Sequence, residues 1–253
     1  ESGWNYISYP RYFPLDVETA FGSVLSMIKL LKDDSGNIYW PELGINTLGQ
    51  MEAGEGYILK MSGNAEFIYP SNSDYVDAID GSTTTGRIGI DQTIYYSEIE
   101  ITSSNMVIGL PLDSWIDFDI QYGDELAVFD SQGNMVGVSV LKNDNNVVVV
   151  WGDDIASDIK DGMLYGEEFV FELWQQSSDK VFDIIVEWEE GVDYFSDNGI
   201  NIASSIILED SYDSNIENIY CFPNPSSGHF DLEFDLYNDT DMSIIIYNAI
   251  GEK

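Results

Sequence analysis

The chain predicts a mainly β fold in three parts: a small α+β module with one helix, an antiparallel β-sandwich, and a partial immunoglobulin-like sandwich at the C-terminus. Three observations predict it. Short runs rich in β-branched and aromatic residues recur along the chain, as strands do. Turn clusters part them, notably Asp130-Ser131-Gln132-Gly133-Asn134, Asn143-Asp144-Asn145-Asn146 and Gln176-Ser177-Ser178-Asp179. Strong helical periodicity is confined to one stretch.

The α+β module is expected over 1–70. "GWNYISYP" alternates and is aromatic-rich, so it predicts a strand. In "PLDVETAFGSVLSMIKLL", Val17, Ala20, Phe21, Val24, Leu25 and Ile28 fall on one helical face. This predicts an amphipathic helix over 16–29. Asp16 is its expected N-cap, and Glu18 suits the positive end of the dipole. "IKLLKDDSGNIYWP" predicts a hairpin with its tip at Asp34-Ser35-Gly36-Asn37. "GEGYILKM" and "AEFIYP" predict two more strands.

Residues 71–87 turn to Ser, Asp, Thr and Gly and predict a linker. The sandwich is expected over 88–208. Its strands are "GIDQTIYY", "EIEITSSNMVIGLPL", "ELAVFD", "MVGVSVLK", "NVVVVWG", "EFVFELWQ" and "FDIIVEW". "VVVVW" is apolar on both faces, which predicts a central strand. Residues 209–218 predict a second, acidic linker. In 219–253, Phe230, Leu232, Phe234 and Leu236 share one face of an alternating strand, and "MSIIIYNAIGEK" predicts another.

Composition bounds the function. The chain has 253 residues, 44% of them hydrophobic and 13% aromatic, enough to fold around a sizeable core. Nine Lys and Arg face 46 Asp and Glu, a formal net charge of −37. Such a surface repels phosphate backbones and anionic lipid, so no nucleic acid and no membrane partner is expected. Cations are the natural small partners, Ca²⁺ first. Solubility in a salty medium explains the charge equally well. One cysteine, Cys221, excludes an intrachain disulfide. One histidine, His229, leaves little for zinc or for a Ser-His-Asp mechanism. No apolar stretch approaches the ~20 residues of a membrane helix. The opening "ESGWNYISYP" is already strand-like, so the chain is expected to be a piece of a longer protein.

The closing segment "FPNPSSGHFDLEFDL…MSIIIYNAIGEK" resembles the start of the C-terminal sorting domain of type IX (Por) secretion cargo. Pro223, Asn224, Pro225, Gly228, Tyr247, Asn248 and Gly251 fall on that motif. The resemblance implies an immunoglobulin-like sandwich, here truncated, that addresses cargo across an outer membrane and is then removed. It makes the type IX secretion machinery a partner and the protein secreted, extracellular or cell-surface. "GWNYISYP…KDDSGNIYWPE…GEGYILKM" and "GDELAVFDSQGNMVGVSV…VVVVWGDD" are similar to accessory modules of large exported proteins of the same bacteria.

Among candidate sites, Asp153, Asp154, Asp158 and Asp161 in "WGDDIASDIKDG" can supply oxygen ligands to Ca²⁺. The alternative is a solvated loop whose Asp residues cap turns. Trp40 and Trp115 sit in loop-like surroundings and are the candidate glycan-stacking platform. Core packing is the alternative. Glu187, Glu189 and Glu190 offer a carboxylate pair for glycoside hydrolysis, or merely a polar strand end. The expected function is a non-catalytic adhesive or structural protein of the cell surface, with self-assembly into a fibre or layer as a variant. A glycan-binding accessory region of a secreted hydrolase is the alternative.

Overall fold

A computed structural model describes residues 1–71, 92–97, 99–154, 156–209, 216–222 and 231–236. Two compact units are present, Glu1–Leu208 and Glu209–Lys253. The structure is mainly β, with a single α-helix among the described residues.

The first sheet contains β1 (Gly3–Ser8), β3 (Ile28–Lys32), β4 (Ile38–Trp40), β5 (Ile45–Asn46) and β7 (Gly56–Met61), in the order β1-β7-β3-β4-β5. A small ladder joins β2 (Leu15–Asp16) to β6 (Gln50–Met51). The helix α1 spans Val17–Phe21, and a 3₁₀ segment continues it over Gly22–Met27. The expected helix over 16–29 is therefore cut short. Gly22 adopts φ 40°, which breaks the α-helical bonding, and Ile28 is already extended in β3. The apolar face was read correctly, since Val17, Ala20, Phe21, Val24 and Ile28 are all buried. Asp16 caps α1 by accepting hydrogen bonds from the Glu18 and Thr19 amides.

"AEFIYP" forms no strand. Tyr69 instead packs edge-on against Tyr9, Phe21 and Phe67, and Phe67 packs tilted against Phe21, in one aromatic cluster. Their hydrophobicity is satisfied by side-chain burial without a backbone ladder. Residues 72–87 of the expected linker lie outside the described residues.

The second part closes on itself. It contains β8 (Asn105–Leu110), β9 (Glu125–Phe129), β10 (Met135–Val140), β11 (Asn146–Trp151), β12 (Val170–Gln175), β13 (Lys180–Glu190) and β14 (Ile200–Leu208). They form a seven-stranded closed barrel in the order β10-β11-β8-β14-β13-β12-β9. The expected antiparallel sandwich gives way to this barrel, and β14 is the reason. "INIASSIIL" pairs antiparallel with β13 and parallel with β8, so both free edges are consumed. The barrel core holds Met106, Ile108, Leu126, Val128, Val148, Val150, Leu173 and Ile206. "GIDQTIYY" supplies no strand in its described part, residues 92–96.

The two expected domains share a core. Leu30, Ile38, Trp40 and Ile45 of the sheet pack against Val107 and Ile202 on the outside of the barrel. Gly109 leaves a hollow in β8: a Cβ there would collide with Leu43 and come within 3.0 Å of Trp40. The buried Lys32 ammonium donates to the Asn105 carbonyl at 3.2 Å and to its side-chain oxygen at 2.6 Å. Burial lowers its pKa to about 8, and the charge of Asp197 opposes that shift. The side-chain Nδ2 of Asn145 donates to the Leu43 carbonyl at 2.9 Å.

In the second unit, β15 (Ile216–Phe222) and β16 (Asp231–Leu236) form an antiparallel pair. The expected strand is present over Asp231–Leu236, Phe230 lies outside the described residues, and residues 216–218 of the expected acidic linker belong to β15.

The shared core makes a checkable claim. Trp40→Ala should destabilise the chain by about 3–5 kcal/mol, and Gly109→Val by about 1–3 kcal/mol through overpacking. Urea unfolding should show both losses in the same transition that reports barrel fluorescence. Separate transitions for sheet and barrel, with the barrel unmoved by either change, would contradict a shared core.

Candidate functional site

A cleft of about 540 Å³ lies where the sheet meets the outside of the barrel. One wall is the β3–β4 hairpin tip. There Asp33 accepts from the Ser35 amide at 3.0 Å and the Asn37 amide at 2.8 Å, while its second oxygen accepts from the Asn37 side chain at 2.8 Å. Gly36 has φ 81° and its Cα faces Trp151, with room for a Cβ only at 3.0 Å from that ring. Glycine is required on both counts. The wall continues through Leu43–Thr47, which follows the short 3₁₀ turn Pro41–Leu43.

The opposite wall contains Gln92, Thr93, Ile99 and Ile101. It is pinned at two points. The fully buried Glu125 carboxylate receives the successive amides of Ile94, Tyr95 and Tyr96. Three charge-assisted bonds offset the burial of that charge. Tyr95 stacks on Trp174 at 5.1 Å, and the Tyr96 hydroxyl donates to Glu172 at 3.1 Å. Nearby, the Thr102 hydroxyl donates to the Gly152 carbonyl at 2.6 Å.

The floor is the outer face of β10 and β11. Val138, Val140, Val147, Val149 and Trp151 line it, while Val136, Val148 and Val150 point into the barrel core. The expectation of a central strand at "VVVVW" is met, since β11 lies between β10 and β8. β11 pairs with β8 along its whole length, and β10 pairs with β9. Between β10 and β11, by contrast, the register contains Gly137↔Val150 alone. The neck of this hairpin is held by a side chain: Asn146 accepts from the Lys142 amide and donates to the Lys142 and Asp144 carbonyls. The chain carries 46 acidic residues, yet among the described lining residues only Asp144 is acidic and only Lys142 is basic. The cleft is suited to an uncharged, partly apolar ligand.

The sequence-predicted sites fall elsewhere. Trp40 and Trp115 are buried, at 2% and 6% exposure. Trp40 is the docking anchor of the sheet, and Trp115 packs edge-on against Phe118 in the barrel core. Neither presents a ring face for a sugar, which corrects the glycan-platform expectation. The acidic loop is organised by backbone bonds. Asp153 accepts from the Asp161 amide, Asp161 from the Asp154 amide, and Asp154 from the Ala156 amide. These bonds follow the turn-capping alternative, and the first of those received by Asp161 holds its carboxyl below the usual range. Among the described residues, no group of three or more His, Cys, Asp or Glu side chains could hold a metal ion. Glu187, Glu189 and Glu190 are exposed on β13, and Glu187 accepts from the Ser205 hydroxyl. Pro223, Asn224, Pro225, Gly228, Tyr247, Asn248 and Gly251 lie outside the described residues.

The β9–β10 tip repeats the β3–β4 tip. Asp130 accepts from the Gln132 and Asn134 amides and from the Asn134 side chain, as Asp33 does one hairpin earlier. "DDSGN" and "DSQGN" thus encode one Asp-x-x-Gly-Asn turn twice. At the second, Lys160 bridges Asp130 at 2.5 Å and Glu167 at 2.8 Å, and the Ser131 hydroxyl donates to Glu167. Burial pushes the Asp130 carboxyl up. The bonds from Lys160, Asn134 and Gln132 outweigh it and hold the pKa at about 2.

Sequence reasoning missed Glu125 and the cleft itself. A lone charge at the head of "ELAVF" was the available signal for Glu125. The cleft is assembled from segments far apart in sequence and left no local pattern. No family model, curated protein or solved structure matches the chain.

The Asp130 cluster sets an acid limit. A carboxyl lowered from 3.8 to about 2 contributes stability above its unfolded pKa, and that contribution is lost as pH falls through the folded value. Asp130→Asn should therefore cost about 2 kcal/mol at pH 7, a cost that fades as pH falls through about 2. Urea midpoints across this range would check it. A cost independent of pH would show that the charge plays no part.

Proposed function

We propose that this chain is a non-catalytic recognition unit of an exported cell-surface or extracellular protein, serving adhesion or surface structure. The observation that carries the reading is the cleft, with its apolar floor and nearly uncharged lining in a strongly acidic chain. Side chains that cannot titrate near neutral pH suit holding a ligand better than acid–base chemistry on it. The walls are pinned by Gly36, Glu125 and Thr102, so little ordering cost attends binding.

The resemblance of residues 219–253 to a sorting domain supports export by the type IX machinery. Copies of the chain are a further proposed partner. β1 is an edge strand with no charged residue in "GWNYIS", an unprotected edge of the kind that pairs between subunits. Binding of Ca²⁺ is kept as a proposal for the acidic surface in general, without an assigned site. A glycan is the alternative ligand class for the cleft.

Purified chain should retain compounds from a mixed array of neutral glycans, peptides and lipids and release them chemically unchanged, as judged by mass spectrometry. Val149→Asp should cut retention at least tenfold. Recovery of cleaved or transferred products would replace binding by catalysis. For export, cells with a disabled type IX outer-membrane pore should keep the protein inside. Undiminished appearance in the medium would end that part of the reading.

A further inference from the structure

We propose that Lys32 and Asn105 become joined, once the chain has folded, by a side-chain amide bond that staples the sheet to the barrel. The staple stands apart from the cleft and from any ligand held there.

Lys32 ends β3 and Asn105 opens β8, 73 residues apart along the chain. Both are buried, at 1% and 8% exposure. Nζ of Lys32 lies 2.6 Å from Oδ1 of Asn105. The amide carbon is one C=O bond further, ~1.2 Å. The Cβ–Cγ torsion of an asparagine is broad, so a rotation about it turns the face of that carbon toward Nζ. A nucleophile and an acyl donor are thus held together by the packing of the two modules. Such placement removes much of the entropic cost of bringing two reactants together.

The surroundings favour the amine over the ammonium. Among the described residues, no carboxylate lies within ion-pair distance of Lys32. Trp4 covers it, with the ring centroid 5.6 Å from Nζ. Burial lowers its pKa to about 8 against the opposing charge of Asp197. Roughly a tenth of the side chain is then neutral at pH 7. Lysines desolvated in this way act as nucleophiles. A buried charge without a counter-ion in contact costs stability for as long as it persists, and the amide bond removes it.

The step balances without an oxidant, a reductant or a cofactor. The ammonium first gives up a proton, and Asp197, whose charge acts on Lys32, is the carboxylate placed to receive it. Asp197 is itself held at the head of β8, where it accepts from the hydroxyl of Ser104. Nζ then bonds to Cγ of Asn105, and the C=O electron pair moves onto Oδ1. The Cγ–Nδ2 bond breaks as C=O re-forms. Nδ2 leaves as ammonia, with its third hydrogen taken from Nζ. The chain loses one NH₃, about 17 Da.

Intact-mass spectrometry of the purified 253-residue chain is the test. After incubation of the folded chain near pH 8, the amine's own pKa, the mass should be about 17 Da below that of the sequence. Trypsin should then release a branched species that joins 30–60, uncut at Lys32, to 88–142. Lys32→Arg and Asn105→Ala should each keep the full mass of their own sequence. Should either variant fail to fold, the branched species from the parent decides alone. A parent that keeps its full sequence mass overturns the staple. So does a mass deficit without the branched species, because an asparagine that cyclises onto its own backbone also expels ammonia.

Discussion

The seating of Trp40 and Leu43 over Gly109 is the contact on which the rest of the first unit depends. β8 and β11 carry apolar residues on both faces, and the barrel interior can absorb only one of them. Without a cover, Val107 would face water. The sheet supplies that cover, and it can come close because position 109 has no side chain. Burial of several large side chains at roughly 25 cal/mol per Å² makes this a firm joint rather than a hinge. The sheet does not cover the whole face. What it leaves open becomes the floor of the cleft, so one packing event both completes the fold and creates the site.

The acidic character of the chain has a second role. Asp16, Asp33, Asp124, Asp130, Asp153, Asp154, Asp161 and Glu125 all accept backbone amides. A mainly β protein with many short connections has many amides outside its ladders, and carboxylates satisfy them with charge-assisted bonds. Clusters that suggest cation binding in the sequence are in large part this local work. The twin Asp-x-x-Gly-Asn turns show it most directly, since the same bonds recur at two hairpins with different neighbours.

The mainly β character, the hairpin at 34–37, the cap at Asp16 and the buried face of the first helix were legible in sequence. Each depends on residues close together along the chain. The end of that helix was harder, because Gly22 takes a backbone conformation that periodicity does not register. Barrel closure was not legible. It rests on β14 meeting β8, a pairing between distant segments that no local pattern encodes. The tryptophans misled for a related reason: Trp40 and Trp115 flank loops in sequence, yet tertiary packing carries both inward. The cleft was invisible because its walls and floor come from four separate stretches, and none is unusual alone.

The parallel meeting of β8 with β14 also has a temporal side. Val107 finds Ile200 only after every intervening strand has been laid down. Loop closure over such a distance is slow, and the barrel is the kind of high-contact-order topology that folds late. A nascent chain would hold one flank of β8 open until its last barrel strand emerged. For that interval it would depend on chaperones or on confinement to stay clear of its neighbours.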